Sequence, residues 1–425
     1  MPEDNIATKS NFFKRILLFI LAFGPGIFAI GYTIGTGSVT SMVVAGSRYG
    51  MQLLWVLFLS CYFSGILIYV FGKFALVTGD TALHGFRKHI KYGKVLAILI
   101  LIAVSFGQWN SLMGILGISS NIIFEILELS YPALTDHRYG VVLGIAILII
   151  SIFYGVMLVG KYSFFEKLLV IFVSIMGISF VISLFFVHPL PNEVIVGMLP
   201  SIPQVEGGKM MVAAFVGTTM AAATFLSRPL FIMGKGWTLA DSKQQRNDAI
   251  LAAVLVFVIS GAIMAVAHGA LYNEGKTVEK VLDMANTLEP IAGKFAVSIF
   301  FFGTLSAGLS SIFPCLLIAP LLLADYQSGK LDTNSKQFRL ITFIASLVAL
   351  MGVAIGANPI EIQILSQVFN VFALPAVVLG IILIVHKKDL VSRLQFKTWI
   401  KISLYVALFF SCVVSFNGIL GIMEM

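Results

Sequence analysis

Residues 16–46 run for thirty-one positions without an Asp, Glu, Lys or Arg. A continuous helix of that length would rise ~46 Å, well beyond the ~30 Å hydrocarbon layer of a bilayer. Near its middle the run carries Gly35, Thr36, Gly37 and Ser38, and two glycines around two hydroxyl residues weaken a helix there. The pattern predicts two half-helices joined by unwound backbone. Each unpaired amide in lipid costs on the order of several kcal/mol, so such backbone persists only where it is buried in protein or lines a wet cavity. Gly35 to Ser38 is therefore a candidate binding element. The plainer alternative is one tilted helix that tolerates two glycines.

Further apolar runs cover residues 51–71, 95–126, 139–159, 165–187, 210–233, 250–272, 295–324, 341–355, 362–385 and 400–422. With the first they make about eleven spans of an all-α integral membrane domain over residues 16–422, preceded by a polar segment, residues 1–15. A hydrophobic share of 59% with 11% charged residues excludes an ordinary soluble domain, whose charged share is about 25%. The run after Arg15 is too long for a signal peptide and lacks a small-residue cleavage site, so it is a first span. Alternating the connecting segments places 20 of the 28 Lys and Arg on one side and 6 on the other, which sets the N-terminus in the cytoplasm. The net charge of +8 thus orients the chain in a lipid bilayer and implies no nucleic-acid partner. Cys61, Cys315 and Cys412 sit inside apolar runs without paired or metal-ligand spacing. A compact chain without targeting extensions fits a bacterial inner membrane.

The sixth run echoes the first. Gly217, Thr218, Thr219, Met220, Ala221, Ala222, Ala223 and Thr224 again place small and hydroxyl residues in mid-membrane. Two interrupted runs in corresponding positions point to inverted repeats, about 16–187 and 210–385, with an extra C-terminal helix at about 400–422 and a site between the breaks. Taken alone, the sixth run also reads as a packing surface between helices.

These residues carry a resemblance. Gly24-Pro25, Gly37, Gly46 to Gly50 with Tyr49, Leu53-Leu54-Trp55, Val77-Thr78-Gly79, Ser310-Ser311, Ser366-Gln367-Val368 and Leu374-Pro375 resemble the NRAMP family of divalent-metal transporters across essentially the whole chain. The resemblance implies a LeuT-type fold with helices 1 and 6 broken. The functional motifs depart from it. Where the family's first break reads Asp-Pro-Gly-Asn and supplies metal ligands, this chain has Gly35, Thr36, Gly37 and Ser38; where its sixth span reads Met-Pro-His, the chain has Ala221, Ala222 and Ala223. The acidic proton-relay positions of the family's third span fall around Phe106 to Asn110, where this chain has Gln108, Trp109 and Asn110.

Chemistry gives an independent check. A dehydrated transition metal needs carboxylate, imidazole or sulfur donors, and hard cations need several oxygens that usually include carboxylates. Of the acids only Glu125 falls within a span, near its outer end, with Asp80, Glu166, Asp325 and Glu361 at boundaries; His268 is the one histidine inside an apolar run. No metal ligand, cofactor site or enzyme constellation emerges. The candidate substrate-binding set is Gly35, Thr36, Gly37, Ser38, Gln108, Trp109, Asn110, Thr218, Thr219, Ala221, Thr224 and Asn370. Its amides and hydroxyls, beside one aromatic face, suit a small neutral, sugar-like solute. The amides serve equally as bonds between helices. Ser310 and Ser311 form a candidate sodium site, with coupling to Na⁺ or to no ion both open. Arg228 either lines the exit path or snorkels to the inner interface. The favoured expectation is a uniporter or secondary transporter for a neutral polar solute. A divalent cation, Mg²⁺ or Mn²⁺/Fe²⁺, is the alternative.

Overall fold

A backbone inside hydrocarbon must satisfy every N–H and C=O within its own segment, so the apolar runs fold as helices. The computed structural model describes residues 30–31, 33–159, 171–172, 174–175, 177–182, 184, 189–203, 207–280, 283, 289–327 and 334–424. Gly24, Pro25, the segment 1–15 and much of the fifth run lie outside the described residues. In chain order the helices are α1 (Thr36–Tyr49), α2 (Leu54–Thr78), α3 (Ala82–His89), α4 (Gly93–Ser130), α5 (Arg138–Val159), α6 (Pro191–Gly197), α7 (Gly208–Thr219) and α8 (Ala222–Gly234). They continue as α9 (Ser242–Ala270), α10 (Glu289–Gln327), α11 (Lys336–Ala354), α12 (Pro359–Phe372), α13 (Leu374–Val385), α14 (Lys388–Leu394) and α15 (Thr398–Met423). Among the described residues there is no strand, and nine stretches are long and apolar enough to cross a membrane. The broken first run and the fifth run, both partly outside the described residues, are not among those nine.

Local chemistry sets the ends. The Asn358 side chain accepts the Ile360 N–H at 3.0 Å, Pro359 takes the first helical position and Glu361 the first turn, so α12 starts there. Ser335 caps α11 by accepting the Phe338 N–H at 3.2 Å. The tenth run, expected as one helix over 362–385, is divided at Ala373 into α12 and α13. Pro375 has no N–H to give the Val371 carbonyl, and that carbonyl accepts the Ser415 hydroxyl at 3.1 Å instead. The connection over 188–208, expected as polar loop, contains α6: Pro191 opens it and the Leu190 N–H donates to Glu193 at 2.8 Å.

Burial shows which helices are central. In α7 with α8, 94% of the apolar window is covered by other protein, against 33% for the stretch containing α5 and 28% for α15. The sixth run therefore threads the core, and the fourth and eleventh face lipid. Around it α4 packs along α10 and α12, α1 packs on α9, and α7 packs on α12. Both breaks lie inside that ring.

Candidate functional site

The first break is at Ile34 and Gly35. The Ile34 N–H still closes a turn on the Ile30 carbonyl at 2.8 Å, while the Val39 N–H bonds the Gly35 carbonyl at 3.0 Å and begins α1. Among the described residues the unwinding falls on Ile34 and Gly35, and Thr36, Gly37 and Ser38 belong to the first turn of α1. At Gly37 a Cβ would come within 2.5 Å of the Gln367 amide and 2.6 Å of the Gln363 amide, so any larger residue would displace those two side chains. The second break is at Met220 and Ala221, with backbone angles of −101° and 48°, then −64° and 115°. Hydroxyls stitch the breaks to their surroundings. Thr218 Oγ1 donates to the Thr33 carbonyl at 3.4 Å, Ser64 Oγ donates to the Thr219 carbonyl at 2.6 Å, and the Ser311 hydroxyl is shared between the Ala307 carbonyl of its own helix at 2.9 Å and the Gly31 carbonyl at 3.2 Å.

Between the breaks lies a cavity of about 20 Å³, lined by Gly35, Gly37, Ser38, Gln108, Ser111, Ile115, Thr218, Ala221, Ser311, Cys315, Gln367 and Asn370. One side is a chain of amides. Gln108 Nε2 donates to Asn370 Oδ1 at 2.9 Å, Asn370 Nδ2 to Gln367 Oε1 at 3.3 Å, and Gln367 and Gln363 both donate to Ser111 Oγ at 3.2 and 3.1 Å. Cys315 Sγ lies 3.5 Å from Gln108 Oε1. No carboxylate, imidazole or thioether among the described residues lines the cavity. Among the described residues no three His, Cys, Asp or Glu side chains gather to hold a metal.

Of the expected site residues, Gly35, Gly37, Ser38, Gln108, Thr218, Ala221, Asn370 and Ser311 reach this cavity. The others do not line it. Trp109 and Asn110 follow Gln108 by about 100° and 200° around α4 and so leave its cavity face; Trp109 packs on the core and the Asn110 amide bonds the Phe106 carbonyl at 2.8 Å. Thr219 and Ser310 return their hydroxyls to Phe215 and Ala307 of their own helices at 2.7 and 3.0 Å. Thr36 and Thr224 are buried outside the lining, and neither hydroxyl has a hydrogen-bond partner. Ser111, Ile115, Cys315 and Gln367 are lining residues beyond the expected set, and Gln363 is joined to Ser111. The spacing Gln363, Ser366, Gln367, Asn370 marks one polar stripe on α12, and that signal is readable in the sequence.

Arg228 neither snorkels nor lines the cavity. It is 1% exposed and paired with Asp248 at 2.6 Å, because α9 begins eight residues ahead of Ile250 and brings Asp248 inside the fold. Glu125 likewise pairs with Arg138, at 2.6 Å, and His268 with Glu193, at 2.9 Å. Beyond the span formed by α2, Asp80 accepts hydrogen bonds from Lys88 at 3.1 Å and lies 2.9 Å from the His89 ring. Burial pushes its carboxyl up, but the bonds from His89 and Lys88 outweigh that and hold it below the usual carboxylate range.

Two breaks facing one polar cavity match what comparison with known proteins returns. The family model described as natural resistance-associated macrophage protein-like matches residues 26–421. The chain belongs to the Nramp family. It is 24% identical over 433 residues to a protein named divalent metal cation transporter MntH from Klebsiella pneumoniae, covering 98% of this chain and 97% of that one. Among solved structures, a manganese transporter mutant of Eremococcus coleocola superposes with a TM-score of 0.70 at 14% identity, covering 94% of this chain and 86% of that one. MhsT in complex with L-phenylalanine gives 0.63 at 15% identity, covering 96% and 97%. The fold is therefore the LeuT type, and this Nramp-family chain is a membrane transporter. The first two of these proteins are named for a divalent metal cation and for manganese, not for the sugar-like solute expected from the sequence chemistry.

Proposed function

We propose that the chain carries a divalent cation across the bilayer by alternating access, the cation being held between the two breaks with part of its water shell. The size of the cavity carries this reading. About 20 Å³ accommodates roughly one or two water-sized particles, and a sugar ring does not fit without repacking α12 and α4. The divalent-metal relatives support the same cargo. The lining sets how such a cation is bound. Without a carboxylate, the favourable charge comes from the hydroxyl and amide oxygens of the lining and from the carbonyls that close α7, against the positive N-terminal ends of α1 and α8. A hard ion that prefers oxygen donors, Mg²⁺, suits that lining better than Mn²⁺ or Fe²⁺. The two repeats rock about this site, and Ser311, beside the Gly31 carbonyl, is the proposed contact for a coupling Na⁺. The basic loops face the cytoplasm of a bacterial cell.

One observation favours a second reading. The described lining is uncharged, and amides and hydroxyls that both donate and accept match a small neutral polyhydroxy solute once the breaks move apart. Uptake of Mg²⁺, Mn²⁺ and labelled glucose into proteoliposomes, with and without a sodium gradient, separates the two. Saturable Mg²⁺ uptake exceeding Mn²⁺, with no glucose uptake, is expected. Glucose uptake without cation uptake ends the first reading and establishes the second.

A further inference from the structure

We propose that the groove between α2, α9 and the start of α15 binds one anionic phospholipid. The groove has a volume of about 640 Å³. Its walls are Phe58 and Tyr62 of α2 and Ile250 and Val254 of α9, each 43–55% exposed although strongly apolar or aromatic. Its other end carries Lys73, Arg246 and Lys397, and no Asp or Glu lines it. Among the described residues none of these three cations has a carboxylate partner. Lys73 Nζ is poised there, 3.4 Å from the Gln395 carbonyl and 4.8 Å from the centre of the Phe396 ring. Trp399, half exposed, stands beside them as interfacial aromatics do.

The chain's course explains why three cations meet. Lys73 lies near the end of α2, Arg246 near the start of α9 and Lys397 just ahead of α15, so all three mark the same membrane boundary, the one where the basic loops gather. From Lys73 to Phe58, α2 rises ~22 Å, more than the ~15 Å depth of one leaflet. The occupant must therefore offer a negatively charged head at the boundary and an apolar tail one leaflet deep, which is the chemistry of an anionic phospholipid. A zwitterionic lipid fills the walls equally but leaves the cationic end without a net counter-charge.

The test uses the full chain in phosphatidylcholine nanodiscs doped with phosphatidylglycerol that bears a photoreactive acyl chain, and adducts are mapped by mass spectrometry. Adducts on α2 and α9 at the groove are expected, at least about tenfold above those from a phosphatidylcholine probe. Each cation contributes about fivefold, so Lys73→Gln with Arg246→Gln and Lys397→Gln brings the labelling down to the phosphatidylcholine level, while Lys73→Arg with Arg246→Lys and Lys397→Arg retains it. Lys397→Gln alone, at an exposed position, gives about a fivefold decrease and keeps the readout where the triple variant does not fold. Equal labelling by the two lipids, adducts mapping elsewhere, or undiminished labelling of the neutralised variants overturns the proposal.

Discussion

Gly217 lies where α7 crosses α12, and a Cβ there would overlap the Gln367 carbonyl oxygen. Gly217→Ala must push the helices apart beside the cavity, at a cost of about 1–3 kcal/mol. Gly234 at the end of α8 has open space, so Gly234→Ala leaves the melting temperature within a degree or so. Thermal unfolding of both variants in detergent checks the contrast, and equal melting temperatures contradict the close crossing. At this scale the sequence reveals much of the cavity. Glycines and hydroxyls interrupting apolar runs mark Gly35, Ser38 and Thr218, although only Gly35 of these stands in unwound backbone and the two hydroxyl residues sit in the helices beside the breaks. It does not reveal which way α4 faces: a step of one residue turns Trp109 away, and only packing against α10 and α12 selects Gln108 and Ser111.

Between elements, the buried pair of Arg228 on α8 and Asp248 on α9 fixes one crossing of the core. Removing one partner leaves a buried charge uncompensated, at about 3–5 kcal/mol, whereas removing both with apolar residues of similar size costs far less. Arg228→Met is expected to destabilise more than Arg228→Met combined with Asp248→Leu, read by thermal melting. A double variant that melts below the single one contradicts this. The pair is hidden from the sequence because Asp248 sits in a run of polar residues that reads as a loop, and only the extension of α9 brings it inside. In the connection after α2, Asp80 ties α3 back through Lys88 and His89. Its carboxyl is held below the usual range, so the stability it contributes is present above the unfolded value of about 3.9 and is lost as pH falls through the lower folded value. Asp80→Asn therefore melts below the unaltered chain at pH 7, and the gap closes as pH falls below about 4. A gap independent of pH contradicts the charge-based tie.

For the whole molecule, the length and number of the apolar runs and the interruptions in two of them are enough to predict an all-helical membrane fold with two broken helices, since lipid admits few other arrangements of backbone. Cargo is harder to read, because it depends on the volume left when α1, α4, α7, α10 and α12 close around the breaks, and volume is not a property of any one residue. The amide chain from Gln108 through Asn370 to Gln367 closes that volume, so its removal tests the central claim most directly. The measurement is initial Mg²⁺ uptake by proteoliposomes of the unaltered chain and of Gln108→Ala and Asn370→Ala, each shown to be folded. A fall of at least about tenfold in both variants is expected, corresponding to the loss of roughly 1.4 kcal/mol or more of cargo stabilisation. Uptake that survives both substitutions undiminished would place the transported cargo away from the two breaks.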